Sequence, residues 1–541
     1  EVAAAYGASK RTIAVVEAFL ERFGAVGNVD VTRTFVHTSL DPDQATAIFG
    51  PDPATEPQVP FALRDSVTAI LIGDPSDDHS TSDLPAAADG DAEGILPPWP
   101  ESFMTSGTPE PCPSPDPSDC VTQFSIPPEG DFRMLTPVQL RTAYGISATG
   151  LAGQGTTVVL LQFGQVVDPV GIDAYTSAFG LPRANLNQVD LSGQATAPGR
   201  EATLDVSMVV ALAPEADVTL LNVAPLLGDL FTGVNPLAFS AALDKRNTAG
   251  RLADVVSVSY GNCEAAIPAP RALLLLTEPV LLTAGAAGVT FITSSGDNGS
   301  TDCISYPGAD SSLAVQYPAS SPWVTTVGGT TIELEEDNSI GDLEAWNNWP
   351  LLLDPDACDS PPCRPLPFAG GGGDSAWFPR PWWQIGPGVE RTHARQLPDV
   401  AVYAGCYPGF QIAVLISDSR VEKTGCGTSQ SAPSFAAMIA ILNQAAAQRG
   451  QPRLGFASPL LYALGRHPWA PYFDVVEGDN IIGDQNARFP VDCCHATDGY
   501  DRATGWGSLL LDEAIDLLAD GSVIPRHPWW LRHHRRHPRW R

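Results

Sequence analysis

Four short apolar runs punctuate the middle of the chain: Val158-Val159-Leu160-Leu161, Val218-Thr219-Leu220-Leu221, Val255-Val256-Ser257-Val258 and Val289-Thr290-Phe291-Ile292. Each is close to continuous rather than alternating, so a strand built from it needs cover on both faces. Helical stretches near 170–179, 201–212, 236–246 and 271–286 fall between and around them. Strands alternating with helices predict a doubly wound, mostly parallel α/β sheet with right-handed crossovers. Active sites of such sheets gather beyond the carboxyl ends of the strands.

This pattern spans about 133–521 of a 541-residue chain, so a second unit is expected. Residues 1–73 read as a small α/β unit. Ser9 caps a helix with an apolar stripe of Ile13, Val16, Leu20 and Phe23, and Gly24 ends it. Val29, Val31, Arg33 and Phe35 then share one face of a strand, a short helix covers 44–49, and 59–63 and 67–72 are strand-like. The opening Glu1-Val2-Ala3-Ala4-Ala5 reads like domain interior, so this unit is expected to be incomplete at its N-terminus. Pro, Ser, Asp and Gly dominate 74–132, a linker suited to proteolytic cutting. Residues 522–541 form a basic tail rich in Trp, His and Arg.

With 62 acidic against 30 basic residues, the formal charge of −32 argues against nucleic-acid binding and fits solubility at low pH. No apolar run reaches the about 18–20 residues that cross a bilayer. Ten cysteines point to an oxidising compartment, hence a secreted protein. Cys112/Cys120 and Cys358/Cys363 are local pairs, Cys263 and Cys303 are expected to bridge, and Cys406, Cys426, Cys493 and Cys494 cannot be paired from sequence.

The chemistry concentrates at Gly427-Thr428-Ser429-Gln430-Ser431-Ala432-Pro433, a glycine turn delivering a serine onto a helix. A serine hydroxyl needs a base, and His393, His467 and His495 lie in proline- or turn-rich settings without catalytic context. The alternative base is a carboxylate in Glu201-Ala202-Thr203-Leu204-Asp205, whose two acids share one helix face. A third acid, Asp297, ends a buried strand in Ser294-Ser295-Gly296-Asp297-Asn298-Gly299.

In order and spacing, these segments, Tyr317–Thr330, Leu135–Arg141 and Pro398-Asp399-Val400 resemble the sedolisins, serine-carboxyl peptidases with a subtilisin-like fold. The resemblance implies that Ser429 is the nucleophile, Glu201 its general base, and Asp205 the group that orients Glu201 by a hydrogen bond. Asp297 would be a protonated oxyanion-hole donor, so turnover should fall as pH rises toward neutrality. Residues 1–73 resemble the family's pro-domain (ferredoxin-like, split βαβ), implying an intramolecular inhibitor and chaperone on a self-processing zymogen. By the same resemblance Asp474 and Asp501, with the carbonyls of Val475, Thr497 and Gly499, would hold one structural Ca2+. Cys426, Gln430, Asn298 and Thr497 depart from the usual family residues without removing a catalytic atom.

The expectation is thus a secreted, monomeric, acid-acting serine endopeptidase that takes protein or peptide substrates. A tripeptidyl exopeptidase of the same family is the nearer alternative. A catalytically silent binding protein on the same fold is the more distant one.

Overall fold

The computed structural model describes residues 8–30, 33, 36–49, 63, 67, 134–193, 198–223, 234–267, 270–305, 312–348, 368–406, 409–417, 420–482 and 493–519. The four apolar runs become buried strands of one eight-stranded sheet. In chain order its strands are β1 (Thr157–Gln162), β2 (Asn185–Asp190), β3 (Asp217–Asn222), β4 (Val255–Val258), β5 (Thr290–Ser294), β6 (Thr325–Leu334), β7 (Ile340–Ala345) and β8 (Val400–Tyr403). Their spatial order is β7-β6-β5-β4-β1-β3-β2, with β8 also paired to β6. All pairs are parallel except β6 with β7.

Five helices complete the layers: α1 (Pro169–Ala178), α2 (Arg200–Leu212), α3 (Pro236–Ala242), α4 (Pro270–Ala286) and α5 (Thr428–Gln448). Side chains of β1 alternate between two cores because successive strand residues point to opposite faces. Val158 and Leu160 join one core with Val206 and Met208 of α2 and Ala436 and Ile439 of α5. Val159 and Leu161 join the other with Phe239 of α3 and Val280 and Leu281 of α4. Fully burying a side chain of this size contributes about 1.5–3 kcal/mol, so the central strands could not face water on either side. α3 stops at Ala242, short of the expected 246, and the chain turns there through a 3-10 segment, Lys245–Asn247, capped by Asp244.

The N-terminal unit has its helix at Lys10–Glu21, with the Ser9 side chain accepting from the Thr12 amide. Val16 and Leu20 are buried, and Gly24 takes a positive φ. Of the strand expected over Val29–Phe35, Val29, Asp30 and Arg33 are described. Asn28–Val29 pairs antiparallel with Val36–His37, and Arg33 between them has a φ of 59°, which a continuous strand excludes. The second helix covers Pro42–Phe49. The strands expected at 59–63 and 67–72 and the linker 74–132 lie almost wholly outside the described residues, as do the tail and Cys112, Cys120, Cys358 and Cys363. Disulfides join Cys263 to Cys303, Cys406 to Cys426 and Cys493 to Cys494.

Candidate active site

Ser429 enters α5 as its second residue, half-buried, behind Gly427 at a φ of 97°. Only glycine adopts that conformation without strain, and a side chain there would also sit 2.8 Å from Asp297 Oδ2. The helix start is stitched to the end of β8. Gly427 N donates to Ala404 O at 2.8 Å and Gln430 Nε2 to Tyr403 O at 3.1 Å. Cys426, bridged to Cys406, ties the turn from the other side.

Pro433 lies four residues beyond Ser429 and has no N–H, so it frees the Ser429 carbonyl from the helical ladder. The Ser259 hydroxyl takes up that carbonyl at 3.3 Å, and Ser429 Oγ donates to Ser259 O at 3.4 Å. Ser259 follows β4, so the sheet and α5 hold the serine between them.

Glu201 stands in the first turn of α2. Burial pushes its carboxyl up to about 7, against the lowering effect of the Ser429 hydroxyl, the Arg200 charge and Ser259. Its Oε1 is buried with no hydrogen-bond partner among the described residues. The Ser429 hydroxyl is close enough to act on Glu201 as a hydrogen bond, yet its formed contact is the long one to Ser259 O. Such contacts commonly tighten only when substrate is bound.

Asp205, fully buried one turn along, departs from expectation in its partners. Its oxygens accept from Ser259 Oγ at 2.8 Å and Gln162 Nε2 at 2.6 Å, and Gln162 in turn accepts from Tyr260 OH at 2.8 Å. Glu201 reaches Asp205 through charge repulsion rather than the expected hydrogen bond. Burial, then that repulsion, raises the Asp205 pKa well above its ordinary value. The two acids therefore titrate as a coupled pair, each pushed above its ordinary range by burial. Ser259 and Gln162 were not legible as site residues. Their signal is position, at the carboxyl ends of β4 and β1 where the sheet opens.

Asp297 lies three residues past β5. Its Oδ1 accepts from Thr428 N at 2.8 Å and from Thr428 Oγ1 at 2.7 Å, while Oδ2 lies against Gly427. Burial raises its pKa, opposed by the two Thr428 hydrogen bonds and the Arg200 charge. Oδ1 is therefore occupied as an acceptor, which leaves Oδ2 as the oxygen to carry a proton.

The five expected metal ligands also converge. Asp474 Oδ2 accepts from Gly499 N at 2.7 Å, Asp501 Oδ2 accepts from Thr497 N at 3.0 Å, and Val475 is buried beside them. The set is all oxygen, two carboxylates with backbone carbonyls from the Asp474–Val475 and Thr497–Gly499 segments, and fits a hard divalent cation. A separate acidic trio, Asp342, Glu344 and Glu477, lies exposed with oxygens within 4.8 Å of one another.

A family model described as the subtilase family matches residues 192–454, which include Glu201, Asp205, Asp297 and Ser429. Kumamolisin of Bacillus sp. (strain MN-32) is 30% identical over 389 residues, 69% of this chain and 61% of that protein. Sedolisin of Pseudomonas sp. (strain 101) is 31% identical over 392 residues, 70% of this chain and 60% of that protein. The solved Pseudomonas sedolisin, a serine-carboxyl proteinase complexed with two molecules of pseudo-iodotyrostatin, superposes with a TM-score of 0.57 at 26% identity, covering 72% of this chain and all of that one. These matches support the sedolisin family. The chain spans roughly half to three-fifths of the length of the curated relatives it matches, among them tripeptidyl-peptidase SED2 of Arthroderma otae, of which it covers 50%. Among the described residues, no helix is long and apolar enough to cross a membrane.

Proposed function

We propose that this chain is an acid-acting serine-carboxyl endopeptidase, secreted as a self-processing zymogen, that hydrolyses peptide bonds in protein substrates. The observation that carries the reading is the meeting of two carboxyls at Ser429, Glu201 within reach of its hydroxyl and Asp297 held by the adjoining Thr428.

Ser429 Oγ attacks the scissile carbonyl while Glu201 takes its proton and returns it to the leaving amine. Asp205, held by Ser259 and Gln162, titrates together with Glu201. Asp297 donates from protonated Oδ2 to the developing oxyanion, because an ionised carboxylate there would repel it. Turnover thus needs Glu201 without its proton and Asp297 with its own. Activity falls as pH drops through the Glu201 pKa and falls again as pH rises through the Asp297 pKa.

Residues 1–73 act as the pro-domain and 74–132 as the segment cut on activation. Supporting this, Ser240 Oγ on α3 donates to Asp30 Oδ2 of the N-terminal unit at 2.6 Å. Asp474, Asp501 and the carbonyls of Val475, Thr497 and Gly499 would hold one calcium ion, which supplies positive charge that pins their loop. A tripeptidyl mode is the second reading, favoured by relatives named tripeptidyl-peptidase at similar identity. Blocked and free-amine peptides separate the two.

The test is hydrolysis of a denatured protein from pH 2.5 to 8 by the parent, Ser429→Ala and Asp297→Asn. Acid-limited cleavage, lost in Ser429→Ala and without its alkaline limb in Asp297→Asn, is the expected result. Full parental turnover at pH 8 would overturn the protonated-Asp297 mechanism. No cleavage at any pH by the folded, processed chain would point to a silent binding protein.

A further inference from the structure

The turn that carries Asp297 is gripped from two sides. On one, Ala369 N donates to Asp297 O at 3.0 Å, Gly299 N to Ala369 O at 2.9 Å and Gly371 N to Gly296 O at 2.7 Å. On the other stands Asn480, a polar side chain with no exposed surface. Its backbone carbonyl accepts from Ser300 N at 3.0 Å, and the turn packs so closely that a Cβ on Gly299 would collide with that backbone oxygen.

Every other polar group of Asn480 is also engaged, and each points away from the turn. Its amide N donates to Cys494 O at 3.0 Å, Oδ1 accepts from Cys494 N at 2.8 Å, and Nδ2 donates to Arg502 O at 3.4 Å. A Cβ on Gly372 would fall 2.8 Å from Asn480 Nδ2 and collide with the Arg502 carbonyl. The glycine ribbon 370–373 therefore fits between the Asp297 turn and the Arg502 segment only because it lacks side chains. The Asn480 backbone thus holds the Ser300 end of the turn, while its buried side-chain amide ties that backbone to the Cys494–Arg502 stretch.

We infer that Asn480 is a positioning residue for the oxyanion site, fixing the Ser300 end of the turn so that Asp297 meets the reacting carbonyl correctly. The inference rests on the reading of Asp297 as oxyanion donor. Asn480 touches neither Ser429 nor substrate; it acts through the Gly299–Ser300 backbone. Misplacing a transition-state group by about 1 Å costs about a hundredfold, and such a group acts on kcat more than on KM.

The residue chemistry makes the conservative variant informative. Asn480→Asp keeps the acceptor for Cys494 N but keeps a donor toward Arg502 O only when protonated. Ionised, it buries an unpaired negative charge. The charged and titratable groups nearest the turn are Asp297, Asp302 and Glu264, with Arg200 facing Asp297.

The experiment measures kcat and KM against pH for the processed full chain, Asn480→Ala, Asn480→Asp, Asp297→Asn and the double variant Asn480→Ala/Asp297→Asn, with active-site titration to count folded sites. Asn480→Ala is expected to lose about ten- to a hundredfold in kcat per titrated site with KM within about threefold. Asn480→Asp should approach parental kcat at its most acid pH and lose it earlier as pH rises. In the Asp297→Asn background, Asn480→Ala should add little. Parental kcat per site in Asn480→Ala overturns the inference, as does an equal loss with and without Asp297. If Asp297→Asn itself keeps full turnover, the oxyanion reading falls instead, whatever Asn480 does.

Discussion

Glu278, on α4, is buried away from the active site, and it sets a pH dependence of stability that one substitution isolates. Tyr317 OH donates to its Oε1 at 2.8 Å and Ser321 Oγ to its Oε2 at 3.0 Å, yet burial outweighs both and pushes its carboxyl from 4.5 up to about 7. At about 1.4 kcal/mol per tenfold change in proton affinity, the rise corresponds to about 3 kcal/mol. Part of the residue surface is exposed, so this figure is a ceiling. The folded pKa lies above the unfolded one, so the contribution is fully present below pH about 4.5 and is lost as pH rises through about 7. Glu278→Gln cannot ionise, and the neighbouring hydroxyls can reorient toward its amide. Guanidinium unfolding at pH 4, 6 and 8, in a Ser429→Ala background to prevent self-cleavage, measures the difference. The parent should lose up to about 3 kcal/mol more than Glu278→Gln between pH 4 and 8. Asp302, also raised to about 7, and Glu264 titrate in both proteins and cancel. Glu278→Ala, which strands both donors, should be about 1–3 kcal/mol less stable than Glu278→Gln at every pH. Parallel stability profiles for the parent and Glu278→Gln would refute the reasoning.

Ser259→Ala removes the donor to Asp205 and to the Ser429 carbonyl, and should lower kcat about tenfold with KM little changed. Steady-state kinetics check it, and an unchanged kcat would remove Ser259 from the mechanism. Gly427→Ala places a methyl 2.8 Å from Asp297 Oδ2 at a φ of 97°, so kcat should drop by at least about tenfold while circular dichroism stays native. Full turnover in that variant contradicts the packing argument. Dialysis against a calcium chelator should lower Tm by about 5 °C, with Asp501→Asn showing the lower value before chelation. A Tm indifferent to both treatments would mean that Asp474 and Asp501 only close a turn.

The large features of this chain were legible because they are local or periodic. The near-continuous runs at 158–161, 218–221, 255–258 and 289–292 read as doubly covered strands, and the sheet uses them so, since a strand apolar on both faces has few other places to go. The glycine turn before Ser429 and the helical spacing of Glu201 and Asp205 were visible for the same reason. At Arg33 the alternation from Val29 meets a positive φ, a backbone turn that no hydrophobic pattern records.

Sequence by itself marked Ser429, Glu201, Asp205 and Asp297 as candidates, because a reactive group and its turn or helix are encoded within a few positions. Only the tertiary structure decided whom those residues meet. Asp205 turns to Ser259 and Gln162, which lie 54 and 43 positions away, and Asp297 is held by Thr428 across 131. Asn480 reaches Ser300 and Arg502 from a third segment. Hydrogen bonds depend on distances of a few tenths of an ångström, which packing of strands, helices and glycine ribbons sets. No local pattern records those distances, so the partners of the reactive groups belong to the fold.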